Sequence, residues 1–189
     1  RHPIQRFISF YTWVALHRDL PDVFWVPEVI RQGASLEEYA DFVLETGQIP
    51  GGFMPCEYFT NVWRTFGCIP AKFRKPVAEA RFIIENHFAV LGLTEMFDET
   101  LYVFAKLLQL EQLPRWQLRG NSGAVKQDQL SEDLRAKIAS ITAADCQLYD
   151  WNKEVFLESF AHHIAEFRSL NIQLRHEGDE GEIRTLTNE

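Results

Sequence analysis

Apolar residues recur at helical spacing at the start of the chain. Between residues 3 and 17 they follow one another at intervals of three and four positions: Ile4, Phe7, Ile8, Tyr11 and Val14–Ala15. Pro3 suits the first turn of a helix, where its missing N–H has no intrahelical acceptor to lose. The spacing therefore predicts a helix from Pro3 to about His17.

Two serines predict the starts of further helices. Each is followed by acidic residues: Ser35 by Glu37 and Glu38, and Ser131 by Glu132 and Asp133. A serine hydroxyl can accept a hydrogen bond from the first turn, where acidic side chains also favour the helix dipole. Gly47 predicts the end of the earlier helix. Apolar spacing predicts further helices over residues 76–85, from 97 to about 108, and from Asp145 onwards.

A short apolar run over Phe88–Leu93 interrupts the helical pattern. A continuous run of this length is typical of a buried strand in a parallel sheet. Thr94 and Glu95 end the run, and a helical pattern follows at once. One strand among many helices predicts an α/β fold, or a helix-dominated piece of one.

Length and composition predict a single globular domain. The chain has 189 residues, of which 46% are hydrophobic and 13% aromatic. So much ring surface needs a packed interior, which excludes a disordered chain. We expect the domain to cover residues 1–175, followed by a polar tail over residues 176–189. No apolar run approaches the roughly 20 residues of a membrane helix, so we expect no membrane segment in this chain.

The net charge of −8 narrows the choice of partners. An acidic chain does not attract a polyanion through its overall field, which argues against nucleic acid. The same reasoning weakens a highly sulfated polysaccharide as a substrate, unless a local basic patch overrides it.

The three cysteines are Cys56, Cys68 and Cys146. They are interpreted as buried free thiols, although a Cys56–Cys68 disulfide is possible in an oxidising compartment. Either arrangement leaves Cys146 unpaired. His162 and His163 are adjacent and point to different faces of a helix, which is poor geometry for a metal, so no metal site is expected.

The first eleven residues carry the most informative chemistry. Arg1 stands just ahead of the predicted helix, where a guanidinium can fork onto a phosphate and the helix N-terminus adds N–H groups for the same anion. Ser9 lies two turns in and offers a hydroxyl, and Arg6 is one turn before it on the same face. These features are interpreted as an anion site; the alternative is a solvated basic helix start.

This stretch resembles the 3′-phosphate-binding motif of sulfotransferases that use 3′-phosphoadenosine 5′-phosphosulfate. The matching positions are Arg1, Pro3, Arg6, Ser9 and Tyr11, whereas His2 replaces the more common Asp. The resemblance implies that Arg1 and Ser9 bind the 3′-phosphate of the cofactor and that Arg6 is more often structural.

Two later stretches extend the resemblance to the Golgi carbohydrate sulfotransferases, which include the uronosyl 2-O-sulfotransferases. Residues 86–101 are similar to their strand–helix unit around Val-Gly-x-Thr-Glu, and residues 145–149 resemble their Asp-x-x-Leu-Tyr helix start. The three motifs occur in the family's order over residues 1 to about 165. The implied fold is the α/β P-loop-like sulfotransferase fold, present here as its helix-rich C-terminal portion with few parallel strands.

A polar loop over residues 119–126 supplies further cofactor candidates. In the family the corresponding loop closes over the nucleotide, which implies cofactor binding by Asn121, Ser122, Gly123 and Lys126. The alternative is an ordinary surface loop with turn residues.

The family's phosphosulfate loop has no counterpart in this sequence. It lies upstream of the Arg–Ser motif in the family, as does the catalytic base, so no catalytic residue is assigned here. Because Arg1 falls at a strand–helix junction, we expect the chain to be truncated.

The resemblance implies a sulfotransferase that transfers a sulfuryl group to a hydroxyl of a carbohydrate or other small alcohol and releases 3′-phosphoadenosine 5′-phosphate. The alternatives are a non-catalytic binding or scaffold domain on a degenerate form of this fold, and a P-loop kinase-like enzyme, which would need Mg²⁺ and ATP. The acidic charge and odd cysteine count favour the cytoplasm, whereas the family implies the Golgi lumen for a form with an upstream membrane anchor.

Overall fold

The computed structural model describes residues 1–17, 28–47, 76–110 and 129–170. In these ranges 81% of the residues are helical and no strand occurs. The helices are α1 (Pro3–Leu16), α2 (Glu28–Arg31), α3 (Leu36–Thr46), α4 (Pro76–His87), α5 (Phe97–Leu107), α6 (Glu132–Ile141), α7 (Ala143–Ser159) and α8 (Ala161–Ser169), with a 3-10 turn over Thr94–Met96. No helix in the described part of the chain has the length and apolar character needed to cross a bilayer.

The helix boundaries follow the capping residues. Ser35 Oγ accepts a hydrogen bond from the Glu38 N–H at 3.2 Å, and the Glu38 carboxylate accepts one from the Ser35 N–H at 2.7 Å. This reciprocal pair is a capping box, and it fixes the start of α3. Gly47 ends α3 at a φ of 63°, a conformation that glycine adopts without a steric penalty. Ser131 caps α6 by accepting from the Leu134 N–H at 3.2 Å. These predictions are confirmed.

The helix expected from Asp145 is present but begins two residues earlier, at Ala143. Thr142 stands between α6 and α7 and is fully buried. Its hydroxyl donates to the Ile138 carbonyl at 2.8 Å, and its own carbonyl accepts from the Cys146 N–H at 2.9 Å. One residue thus ends α6 and starts α7 without a connecting loop.

The predicted strand over residues 88–93 is wrong. The segment is neither helical nor paired with another strand in the described part of the chain. Its backbone bonds to side chains instead: Thr100 Oγ1 meets the N–H and the carbonyl of Leu93, and Asn152 Nδ2 donates to the Leu91 carbonyl at 3.1 Å. Buried backbone groups need partners, and these two side chains supply them where a neighbouring strand was expected.

The chain divides into two compact units. The first contains residues 1–88 and 121–150, and the second contains residues 89–120 and 151–189. In the first unit α1, α3 and α6 pack together around a buried apolar cluster. Its buried members are Ile4, Phe7, Ile8, Val14, Ile30, Leu36, Tyr39, Ala40, Val43, Leu134 and Ile138.

A charged group joins α3 to α6 at the surface of the first unit. Lys137 Nζ lies 2.9 Å from Asp41, 3.2 Å from Glu37 and 3.4 Å from Asp133. The hydrogen bonds that Lys137 donates to Asp41 and Glu37 raise the pKa of Lys137 above its usual range. A single cation thus offsets the repulsion among three carboxylates.

The second unit is built mainly on the contact between α5 and α8. Tyr102 and Phe167 stack in a tilted arrangement with ring centroids 5.3 Å apart. Lys106 pairs with Glu166 at 2.8 Å, and Arg168 pairs with Glu99 at 3.1 Å. The aromatic contact and the two ion pairs connect the same two helices, so their register is specified by both shape and charge.

Candidate anion site at the start of α1

The structure brings together the two residues that the sequence assigns to a phosphate. Arg1 Nη1 donates a hydrogen bond to Ser9 Oγ at 2.9 Å. Arg1 is exposed and Ser9 is half-buried on α1. Because Ser9 Oγ accepts this bond, the hydroxyl hydrogen remains available to a further acceptor. A guanidinium and a polarised hydroxyl therefore stand side by side on the surface.

The start of α1 adds to the positive character of this region. Pro3 occupies the first turn, as predicted, and no acidic residue lies there. The first N–H groups of a helix have no intrahelical acceptor, so they carry partial positive charge toward the same end. His2 is the N-cap residue, and its side chain makes no capping hydrogen bond.

Arg6 has a different environment from Arg1. It is half-buried, and burial lowers its pKa, while the nearby charge of Asp145 opposes that shift. Asp145 is 3% exposed in the first turn of α7. A buried carboxylate beside a half-buried guanidinium neutralises the pair locally. Arg6 thus faces α7, whereas Arg1 lies on the surface.

A contact between rings connects the first and third sequence motifs. The His2 and Tyr149 rings meet edge to face, with centroids 5.2 Å apart and an interplanar angle of 65°. The two residues are 147 positions apart, and the sequence analysis did not predict their contact.

Arg81 is a further cation that the sequence analysis missed. It lies on α4 and its Nη2 donates to the Gln147 carbonyl of α7 at 3.5 Å, at the long limit of a hydrogen bond. Arg1, Arg6 and Arg81 all belong to the first unit, and the latter two face residues 145–147. Although the chain as a whole is acidic, basic side chains therefore gather around the junction of α1 and α7.

The second sequence motif has a structural explanation. A Cβ atom added to Gly92 would overlap the Thr100 Cγ2 methyl, so only glycine fits beside this threonine. Thr94 and Glu95 are exposed in the 3-10 turn that follows. In the second unit the Gly-x-Thr-Glu residues thus shape the entry to α5.

The remaining candidates are the residues of the polar loop, the three cysteines and the two adjacent histidines. Asn121, Ser122, Gly123 and Lys126 lie outside the described residues, as do Cys56 and Cys68. Cys146 is a free, half-buried thiol whose pKa is raised by burial. The His162 and His163 rings are 5.7 Å apart and tilted by 56°. Over residues 1–17, 28–47, 76–110 and 129–170, no group of three His, Cys, Asp or Glu side chains is arranged to hold a metal.

No family model, curated protein or solved structure matches this chain. The arrangement at the start of α1 can bind an anion. The Arg1 guanidinium, the Ser9 hydroxyl and the N-terminus of α1 all offer hydrogen-bond donors in one surface region.

Proposed function

We propose that this chain is the C-terminal part of a sulfotransferase that moves a sulfuryl group from 3′-phosphoadenosine 5′-phosphosulfate to a hydroxyl of a carbohydrate or other small alcohol. The observation that carries the proposal is the 2.9 Å hydrogen bond between Arg1 and Ser9, the two residues that the family resemblance assigns to the 3′-phosphate. The proposed whole is an α/β P-loop-like sulfotransferase fold, in which the described helices form the helix-rich C-terminal portion.

Arg1 and Ser9 would bind the 3′-phosphate together. The guanidinium has five N–H donors, so one can stay on Ser9 while others turn to phosphate oxygens. The Ser9 hydroxyl can donate its hydrogen to the same anion, since its oxygen accepts from Arg1. Charge-assisted hydrogen bonds of this kind are about twice as strong as neutral ones, which suits a group that must hold a dianion.

The donor molecule, when bound, supplies the activated sulfuryl group. This chain's own part is to hold the nucleotide: Arg1 and Ser9 at its 3′-phosphate, and Asn121, Ser122, Gly123 and Lys126 as proposed contacts from the polar loop. By the family resemblance, the base that takes the acceptor's proton comes from upstream of Arg1. The net charge of −8 favours an acceptor that is not itself a dense polyanion.

A second candidate is nucleotide binding without sulfuryl transfer. It is supported by the Arg1–Ser9 hydrogen bond, which accounts for anion binding and does not by itself imply sulfuryl transfer. The two candidates share the 3′-phosphate site and differ in whether labelled sulfate moves from the donor to an acceptor sugar.

Calorimetric titration with 3′-phosphoadenosine 5′-phosphate tests the shared site. We expect Arg1→Ala to weaken binding by about tenfold or more and Ser9→Ala by about two- to tenfold, as the loss of a charged and of a neutral hydrogen bond predicts. Arg135→Ala is the matched control, because Arg135 is also exposed but lies on α6.

Adenosine 5′-phosphate, which lacks the 3′-phosphate, is the control ligand. The proposal requires that Arg1→Ala bring the affinity for 3′-phosphoadenosine 5′-phosphate down toward that for this ligand. If the folded wild-type chain does not bind 3′-phosphoadenosine 5′-phosphate, or if Arg1→Ala binds it as tightly as the wild type does, the proposed site is wrong.

A further inference from the structure

We infer that Tyr149 is a positioning residue for the anion site: its ring holds His2, and through His2 it holds the backbone that carries Arg1. The inference deepens the proposed function and rests on it for the identity of the anion, the 3′-phosphate of the nucleotide. The geometry of residues 1–9 and of α7 supports it independently of that identity.

Arg1 must be held at a definite angle to reach Ser9. Ser9 lies six residues beyond Pro3, which is about 9 Å along the helix axis. Arg1 precedes the helix, so its side chain has to run back along α1 to make the 2.9 Å bond. The direction in which Arg1 leaves the backbone is set by His2, the one residue between it and the helix.

His2 lacks the usual anchor of an N-cap residue. Ser, Thr, Asp and Asn hold this position by accepting a hydrogen bond from the first turn. The His2 side chain makes no such bond, although its backbone, at φ −51° and ψ 130°, has the extended ψ of a residue that enters a helix. A contact of the His2 ring can fix the entry to α1 in place of a capping bond.

The ring of Tyr149 provides this contact. It meets the His2 ring edge to face at 5.2 Å, a favoured arrangement for aromatic pairs. Tyr149 itself stands on a well-anchored part of α7, because the neighbouring Leu148 is 3% exposed and Cys146 packs against the core of the first unit. Because this part of α7 is packed in place, the Tyr149 ring can restrict the position of residues 1–2, which precede α1.

The contact can be removed without dismantling the core. Tyr149 is half-buried, whereas Leu148 and Asp145 are the buried residues of this part of α7. Arg6 also stays beside Asp145 when the Tyr149 ring is gone, since that pairing involves other side chains. Loss of the ring should thus release residues 1–2 and leave α1 and α7 folded.

The test combines an NMR measurement on the Arg1 side chain with titration of two nucleotides. The Arg1 Nε–Hε signal in a ¹H–¹⁵N NMR spectrum of the free chain, assigned by its loss in Arg1→Ala, reports whether the guanidinium is held. The ratio of affinities for 3′-phosphoadenosine 5′-phosphate and adenosine 5′-phosphate reports what the 3′-phosphate contributes. A purely structural role of Tyr149 would lower stability and leave both readouts unchanged.

We expect Tyr149→Ala to move the Arg1 signal to the position of a free guanidinium and to lower the affinity ratio by about two- to tenfold, as the loss of an edge-to-face pair predicts. Tyr149→Phe keeps the ring and should behave as the wild type. In the Tyr149→Ala background, His2→Asp should restore both readouts, because an aspartate anchors the N-cap by its own hydrogen bond. Phe160→Ala, which removes a half-buried ring from the second unit, is the matched control.

An unchanged Arg1 signal and an unchanged affinity ratio in a folded Tyr149→Ala variant would overturn the inference. Failure of the proposed function looks different: the wild-type chain then binds 3′-phosphoadenosine 5′-phosphate no more tightly than adenosine 5′-phosphate. In that case the inference is tested by the Arg1 NMR signal alone. A move of that signal to the free-guanidinium position in Tyr149→Ala would still establish that Tyr149 positions Arg1.

Discussion

Thr100 bonds to both backbone polar groups of Leu93. Its Oγ1 accepts from the Leu93 N–H at 3.1 Å and donates to the Leu93 carbonyl at 3.2 Å. Both residues are buried, so neither bond can be exchanged for one with water. One side chain on α5 thus satisfies the two backbone groups of Leu93 that a paired strand would otherwise satisfy.

Replacing this hydroxyl should destabilise the second unit. Thr100→Val keeps the shape but leaves the Leu93 N–H and carbonyl buried without the partner they have now. We expect a loss of about 1–3 kcal/mol in the free energy of unfolding, measured by urea denaturation followed by circular dichroism. Thr100→Ser keeps the hydroxyl and should cost about 1 kcal/mol or less. A larger loss in Thr100→Ser than in Thr100→Val would show that the methyl group, not the hydrogen bonds, matters here.

Gly92 and Thr100 should behave as a coupled pair. Gly92→Ala places a methyl against Thr100 Cγ2, and crowding of this kind typically costs about 1–3 kcal/mol. Thr100→Ser removes that methyl, so Gly92→Ala should cost about 1 kcal/mol less in the serine background. Gly47→Ala is the control: it strains a backbone at φ 63° and has no neighbour within 4 Å of the new Cβ, so Thr100→Ser should not relieve it.

Acid should weaken the link between α5 and α8. The hydrogen bond from Lys106 lowers the pKa of Glu166, so the folded-state value lies below the value of about 4.3 in an unfolded chain. The stabilisation is therefore complete above that value and is lost as the pH falls through the lower folded-state pKa. Because both side chains are partly exposed, we expect it to amount to about 1 kcal/mol at most.

Lys106→Met tests this pH dependence. The difference in unfolding free energy between wild type and variant should be constant at neutral pH and shrink below about pH 4. Lys153→Met, which removes an exposed lysine of α7, should show no such change. His163 Nδ1 lies 3.6 Å from the other Glu166 oxygen, so Lys106→Met should leave part of the acid sensitivity in place. A difference that stays constant into acid would contradict the assigned role of the ion pair.

The capping box of α3 can be tested in the same assay. Ser35→Ala removes the acceptor for the Glu38 N–H and should lower the unfolding free energy by about 1 kcal/mol. Ser35→Asp supplies another good N-cap and should stay within a few tenths of a kcal/mol of the wild type. A loss in Ser35→Asp as large as that in Ser35→Ala would mean that the serine acts through something other than its cap.

The parts of the fold that were predicted correctly depend on nearby residues. The caps at Ser35 and Ser131 and the end at Gly47 are decided within four residues of each helix terminus. The apolar spacing of α1 likewise reflects a single helix face buried in one core. Such signals can be read from one sequence because both partners of each interaction stand close together in it.

The strand prediction failed for the opposite reason. An apolar run predicts burial, but it does not reveal how the backbone groups are satisfied. Burial was itself overestimated, because Phe88 and Ala89 are exposed and only Leu93 of this segment is buried. The partners of the backbone groups are Thr100 and Asn152, the latter 61 residues beyond Leu91. Similarly, the family resemblance groups Arg1 with Ser9, whereas the contact between His2 and Tyr149 depends on tertiary packing that no local pattern reveals.

The division of the first unit between two distant stretches has a consequence for synthesis of the chain. The apolar faces of α1 and α3 are covered by α6, which begins about 85 residues after α3 ends. At typical translation rates of about 5–20 residues per second, α6 begins to be synthesised roughly 4–17 s after α3 is complete. During that interval the part of the apolar cluster that packs against Leu134 and Ile138 of α6 lacks its partner, and a chaperone would have a surface to bind.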